Sequence, residues 1–239
     1  MKKHIPNTIT CCNLVSGCIA VTYALMGEPG MALLWIIMGA VFDFFDGMSA
    51  RLLGVSSPIG KELDSLADDV TFGVAPSAMV YHELCVMEWP AAVTSLCAPA
   101  LPYLPYLAFV MAAFSALRLA KFNLDERQTT SFIGLPTPAN ALFWGSLIVG
   151  AGRWIESTPW GAVALLVGVC VSSWLLVAEL PMFALKFKHW GWKGNEVKYI
   201  FIVSCVPLLL FFGITAFAFI IAWYIVLSAV KRPHPRAHP

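Results

Sequence analysis

Apolar runs of bilayer-spanning length recur along almost the whole chain, and this leaves few folds open to it. A membrane helix needs roughly 20 predominantly apolar residues. Runs of that kind occupy residues 8–26, 31–53, 62–83, 101–121, 138–152, 160–179, 198–212 and 214–230, the fifth and the last two being short. The chain is 59% hydrophobic and 12% charged, where a soluble domain carries about 25% charged residues. The expected fold is therefore all-α: a polytopic membrane helix bundle of about eight transmembrane helices, forming a single domain over residues 1–239.

The breaks between runs carry turn chemistry. Gly27-Glu28-Pro29-Gly30 reads as a tight reversal. Pro99, Pro102 and Pro105 punctuate the entry to the fourth run, and Gly134-Leu135-Pro136-Thr137-Pro138 precedes the fifth. Residues 198–230 as one helix would rise about 50 Å against a hydrocarbon core of about 30 Å, so a hairpin turning near Gly213 is expected. The N-terminal run is interrupted by Asn7, Thr8, Thr10 and Asn13 and is expected to stay as the first helix, not as a cleaved signal. The seven cysteines form no C-x-x-C pair; Cys85 and Cys97 read as unpaired thiols. Trp89, Trp160, Trp190 and Trp192 read as an aromatic belt, and His82 and His189 as interfacial. The proline-rich tail Lys231–Pro239 reads as a disordered end attracted to anionic headgroups.

Charge asymmetry sets the expected orientation. With eight spans and the N-terminus in the cytoplasm, all of the 15 Lys and Arg residues except Arg153 fall on the inner side. A seven-span arrangement would put Lys231, Arg232 and Arg236 outside. In the eight-span order, Asp43 and Asp46 lie in the inner half of the second run and Asp64 and Asp68 in the first turns of the third. The four carboxylates are thus expected at one depth, facing the cytoplasm.

Ionisable side chains at membrane depth are costly and point to function. Residues three or four apart share a helix face, so each Asp pair points one way. Four facing carboxylates cannot all stay ionised without a counter-charge. Divalent cations supply it: Mg²⁺ is held by a few carboxylates together with water and substrate phosphates, and two such ions clamp a transferring phosphoryl group. Gly47 and Ala50 leave space on the same side, Arg51 offers a planar fork suited to phosphate, and Gly60 reads as the turn into the second half. A divalent-ion transporter is the alternative for such a cluster. It calls for acidic residues spread through the membrane depth, and these sit at one level beside Arg51 and Lys61.

The string D-x2-D-G-x2-A-R-x8-G-x3-D-x3-D, here Asp43, Asp46, Gly47, Ala50, Arg51, Gly60, Asp64 and Asp68, resembles the signature of the CDP-alcohol phosphotransferases. The stretches IPNTIT…NLVSG, ELDSLADDVTFGVAPS, ALRLAKFN…FIGLPTPANA and PMFALKFKHWGWKGN resemble the serine branch of that family, the membrane-embedded phosphatidylserine synthases. The resemblance implies a six-helix catalytic core at about 5–180, followed by the hairpin at about 198–230 and the tail. It implies transfer of the phosphatidyl group from CDP-diacylglycerol to the hydroxyl of L-serine, with release of CMP. It further implies two divalent ions, Mg²⁺ or Mn²⁺ (Ca²⁺ standing in for them in a crystal), one held by Asp43, Asp46 and Asp64 and the other by Asp43, Asp64 and Asp68. Asp68 would also take the proton of the attacking hydroxyl. Gly47, Ala50, Arg51, Ser57 and Gly60, with Asn7 and Thr10, would meet the CDP moiety. Arg118, Lys121 and Asn123, at the inner end of the fourth run, are candidates for serine binding. Asp69, about 100° around the helix from Asp68, reads as structural. The resemblance also implies a homodimer in a bacterial inner (cytoplasmic) membrane, with membrane lipid and no nucleic acid among its partners. Glycerol 3-phosphate, inositol and inositol phosphate are the alternative acceptors for the same chemistry.

Overall fold

The structure, a computed structural model, describes residues 4–55, 57–124, 132–182, 191–192 and 195–230. Lys2, Lys3, Arg127, Lys186, Lys188, His189, Trp190, Lys193 and the tail Lys231–Pro239, named above for topology or interface roles, lie outside the described residues.

Among the described residues, the long elements are all helices. α1 (His4–Leu25) and α2 (Pro29–Leu53) form a hairpin around Gly27, which takes φ 76°. α3 (Pro58–Asp68) continues through a π-helical segment, Asp69–Val74, into α4 (Ala75–Val86). A short helix, α5 (Ala91–Leu96), which no apolar periodicity announces, leads to a 3₁₀ segment, Leu101–Phe109, and then α6 (Val110–Leu124). Prolines 102 and 105 account for the 3₁₀ geometry, because each removes an N–H from the α-helical ladder. α7 (Thr137–Glu156), α8 (Gly161–Val177), α9 (Glu196–Phe212) and α10 (Ala216–Val230) complete the bundle.

Among the described residues, four stretches are long and apolar enough to cross a membrane: His4–Leu25, Pro29–Leu53, Leu101–Leu124 and Glu196–Val230. The last folds back on itself. Gly213 sits at φ 54°, Phe212 and Phe219 bring their rings to 4.7 Å, and Phe201 and Tyr224 to 5.8 Å. Trp223 Nε1 donates to Ser204 Oγ at 3.1 Å. These pairings hold two antiparallel arms, as the length argument for residues 198–230 requires.

Among the described residues, one feature departs from a purely helical fold. β1 (Phe132–Ile133) pairs antiparallel with β2 (Pro181–Met182), and Gly134, at φ 76°, donates its N–H to Leu180 O at 2.9 Å. The ladder ties the segment entering α7 to the segment leaving α8, and so satisfies backbone groups that no helix pairs.

The core is built from small residues. Ala20, Ala24, Ala32, Ala75, Ala78, Ala108, Ala141 and Ala162 are buried among Ile36, Phe72, Met79, Met111 and Trp144. Lipid gives apolar helices no reason to associate, so close backbone approach and dispersion must do it. Gly17 shows how close: a Cβ there would lie 2.9 Å from the Thr71 backbone. α1, α2 and the π segment meet at this point, which fixes the two acidic helices relative to α1.

Candidate active site and metal centre

The two halves of the acidic string are joined by a turn that the intervening sequence specifies. α2 stops at Gly54, in the left-handed region at φ 62°. The Gly54 N–H goes to Arg51 O and the Val55 N–H to Ala50 O (3.0 Å), the pairing of a Schellman motif. Ser57 then caps α3, its Oγ accepting the Gly60 N–H at 3.0 Å, with Pro58 in the first turn. Gly60 is inside the helix and not at a turn, which corrects the expectation from sequence. Its missing Cβ makes room, since one placed there would lie 3.0 Å from Ser57 Oγ and 3.1 Å from Asn7 Oδ1.

This reversal sets α3 against α1, with Asp64 and Asp68 turned toward Asp43 of α2. Asp43, Asp64 and Asp68 each turn one carboxylate oxygen to a common point, the three atoms lying within 4.8 Å of one another. Asp46, buried, accepts the Thr10 hydroxyl at 2.6 Å. Asp64 Oδ1 is buried with no hydrogen-bond partner among the described residues. An all-oxygen, multiply anionic donor set with an orphaned buried oxygen suits a hard divalent cation such as Mg²⁺, Mn²⁺ or Ca²⁺.

A polar chain from α1 orients Asp68. Thr71 Oγ1 donates to Asn13 Oδ1 at 2.8 Å, which turns the Asn13 amide so that Nδ2 donates to Asp68 Oδ1 at 3.0 Å. Asn13 and Thr71 are both fully buried. Sequence reasoning took Asn13 only as an interruption of an apolar run. A polar residue at membrane depth on the helix that also carries Thr10 was the available signal. Asn13→Ala is expected to lower turnover about tenfold, the scale of one hydrogen bond to a charged group, as measured by the kcat of CMP release.

Beside the cluster is a cavity of about 270 Å³ lined by Pro6, Asn7, Thr10, Asp46, Gly47, Ala50, Val55, Ser57, Gly60, Lys61 and Asp64. Six of the residues expected at a nucleotide site, Asn7, Thr10, Gly47, Ala50, Ser57 and Gly60, thus line one cavity. Gly47 is open: only Arg51 Nη2, at 4.0 Å, comes near its absent Cβ. Arg51 itself is exposed and does not line the cavity. Lys61, which sequence reasoning treated only as a cation-repelling charge, does line it, and its ammonium donates to Asn123 O at 2.7 Å.

The three candidates on α6 are differently placed. Arg118 is 8% exposed, has its Nε without a hydrogen-bond partner among the described residues, and lies within electrostatic reach of Asp68. Lys121 is exposed. Asn123 is engaged in tying α6 to α3, with Nδ2 donating to Ser65 Oγ at 2.8 Å. A buried polar group left unpaired costs about 1–3 kcal/mol, so Arg118 is the one of the three with an unmet requirement.

A helical, membrane-type bundle thus gathers aspartates from two helices around one point that suits a divalent cation, next to a cavity walled by small and hydroxyl-bearing residues. The family model for CDP-alcohol phosphatidyltransferase matches residues 3–231, and the chain belongs to that family. The chain is 36% identical over 188 residues to a CDP-diacylglycerol–serine O-phosphatidyltransferase of Bacillus subtilis, covering 78% of this chain and 91% of the relative. It is 31% identical over 230 residues to a protein of the same name in Methanocaldococcus jannaschii, covering 95% and 93%. With the Mycobacterium leprae protein of that name it shares 31% identity over 190 residues, 74% of this chain and 57% of the longer relative.

Proposed function

We propose that this protein transfers the phosphatidyl group of CDP-diacylglycerol to the hydroxyl of L-serine, giving phosphatidylserine and CMP. The observation that carries the reading is the convergence of Asp43, Asp64 and Asp68 within 4.8 Å beside the cavity containing Gly47 and Ala50. The names of the relatives support serine as the acceptor.

Two divalent ions, held by Asp43, Asp46 and Asp64 and by Asp43, Asp64 and Asp68, would neutralise the diphosphate and stabilise the departing nucleotide. The chain's own groups do the rest. Asn7, Thr10, Ser57 and Gly60 shape the wall on which the CDP moiety lies, Gly47 and Ala50 leave it space, and Arg51 reaches over from the rim. Asp68, held through Oδ1 by Asn13, keeps its other oxygen for the proton of the attacking hydroxyl, which needs a base to become a nucleophile. Arg118 takes the serine carboxylate. A phosphorylated acceptor calls for several cations at the site, and Arg118 is the buried one among the described residues.

In the eight-span reading from the sequence, this site lies at the cytoplasmic level of a bacterial inner membrane, where serine is supplied and CMP leaves. A homodimer is part of the reading. The test is CMP release from CDP-diacylglycerol by the purified protein with L-serine, glycerol 3-phosphate, inositol or inositol phosphate. Serine is expected to support turnover and the others not. Turnover with another acceptor and none with serine would remove the serine assignment while leaving the family chemistry intact.

A further inference from the structure

Another cavity, of about 570 Å³, lies at the end of the bundle remote from the aspartates. Pro29, which borders it at the start of α2, and Asp46 are separated by about 25 Å of helix. The volume falls within the range of small-ligand sites, about 300–1,000 Å³, and the transferase chemistry does not use it. Its walls include Gly30 from the first turn of α2, His82, Glu83 and Val86 from the end of α4, and Arg153 and Glu156 from the last turn of α7. α7 packs on both α2 and α4, which holds the three walls together. His82 lies over the turn between α1 and α2, where a Cβ on Gly27 would be 2.6 Å from its Nε2.

The polar groups of this cavity carry both signs. Glu83 is 7% exposed. Its Oε1 lies 4.0 Å from the place a Cβ on Gly152 would take, so the carboxyl is set against α7. There it shares a hydrogen bond with the carboxyl of Glu156. Two carboxyls can hydrogen-bond only while one of them keeps its proton, and a cation between them lets both ionise. Arg153 is one turn before Glu156 on the same face of α7. It is the basic residue that the charge count leaves on the outer side, and its planar fork suits a phosphate. A bare metal ion matches this set poorly. Among the described residues, three ligand atoms come within 4.8 Å of one another at Asp43, Asp64 and Asp68 and not here, and an ion alone would leave Arg153 without a counter-charge. The rim is open and apolar. A Cβ on Gly30 would meet nothing within 4 Å, Val86 is 58% exposed, and Trp154, next to Arg153, is 72% exposed. Exposed tryptophan at the end of an apolar helix belongs to the level of the lipid head groups.

We infer that this cavity receives the head group of a phospholipid that carries one primary ammonium and one phosphate. The ammonium sits between Glu83 and Glu156, the phosphate meets Arg153, and the acyl chains leave past Val86 into the bilayer. A head group with an added carboxylate sets that charge against the glutamates, and a polyol head group brings them no cation. The site therefore selects an aminoethyl phosphate head group. It is separate from the transfer chemistry and does not depend on serine being the acceptor.

The test is native mass spectrometry of the full-length protein in detergent micelles doped with equal amounts of dioleoyl phosphatidylethanolamine, phosphatidylcholine and phosphatidylglycerol. Phosphatidylethanolamine is expected to be retained at one per chain, at least about tenfold over the other two, because the trimethylated head group has no N–H to donate and the glycerol head group has no cation. Glu83→Gln and Arg153→Gln should each lower that retention about tenfold, the scale of one charge-assisted hydrogen bond. Asp64→Ala, at the other end of the bundle, should leave it within about twofold. Equal retention of the three lipids by the unmodified protein overturns the inference, however the variants fold, and so does retention that Glu83→Gln leaves unchanged. Retention lost in Asp64→Ala would put the lipid in the cavity beside the aspartates and overturns it as well. Soluble phosphoethanolamine carries the same two charges without the chains. It is expected not to displace the lipid at equal concentration, and displacement would assign the cavity to a soluble ligand instead.

Discussion

Asp68→Asn is expected to reduce CMP release with serine by about 10²- to 10⁴-fold, the range for loss of a positioned general base. The substitution is close to isosteric. The new amide keeps an oxygen for the Asn13 Nδ2 bond, now 3.0 Å long, and so holds its place on α3. It loses the proton acceptor, and it puts an amide where a carboxylate faced Asp43 and Asp64. Because one of several mutually repelling carboxylates is removed, the chelated variant should melt no lower than the chelated parent. Loss of activity with an intact melting transition is the expected pair of results. Full activity in Asp68→Asn would end the assignment of Asp68 as the base.

Removal of divalent metal is expected to have an effect at least as large. A divalent ion at such a site supplies several kcal/mol of transition-state stabilisation, so exhaustive chelation should abolish measurable CMP release, and Mg²⁺ or Mn²⁺ should restore it. The same cations should raise the melting temperature. Metal at about 100 times its dissociation constant stabilises the folded state by about 2.7 kcal/mol. Asp43→Ala and Asp64→Ala each remove an oxygen from the point where three ligand atoms lie within 4.8 Å, and both should lose the metal-induced thermal shift along with activity. Turnover that survives chelation would argue against the acidic cluster as a metal centre.

What could be read in advance follows the range of the forces involved. The apolar runs and their breaks marked the helices, because a bilayer imposes its thickness on the sequence locally. The reversal at Gly213 followed from length alone. Asp43, Asp46, Asp64 and Asp68 were legible because their spacing is a property of two neighbouring helices. Residues that act across the bundle were harder to see. Asn13 meets Asp68 across 55 positions of chain and Thr71 across 58, and nothing near Asn13 in sequence announces either. Gly60 was misjudged as a turn because its role depends on Asn7, on a helix that only folding brings near. Asp69 opens a π-helical segment, a local rewinding that nothing in the sequence announces. Asn123 was grouped with Arg118 by proximity in sequence, but its amide and carbonyl are engaged by Ser65 and Lys61.

The most direct test of the central claim is the balance between lipid and nucleotide products in a reconstituted system. Purified protein in CDP-diacylglycerol vesicles with Mg²⁺ or Mn²⁺ and L-serine labelled with ¹⁸O in its hydroxyl should yield phosphatidylserine and CMP in equal amounts. The label should stay in the lipid, because the serine oxygen attacks phosphorus and its bond to carbon is never broken. CMP formed without serine entering lipid, or a lipid product that lacks the label, would contradict direct transfer of the phosphatidyl group to serine at this site.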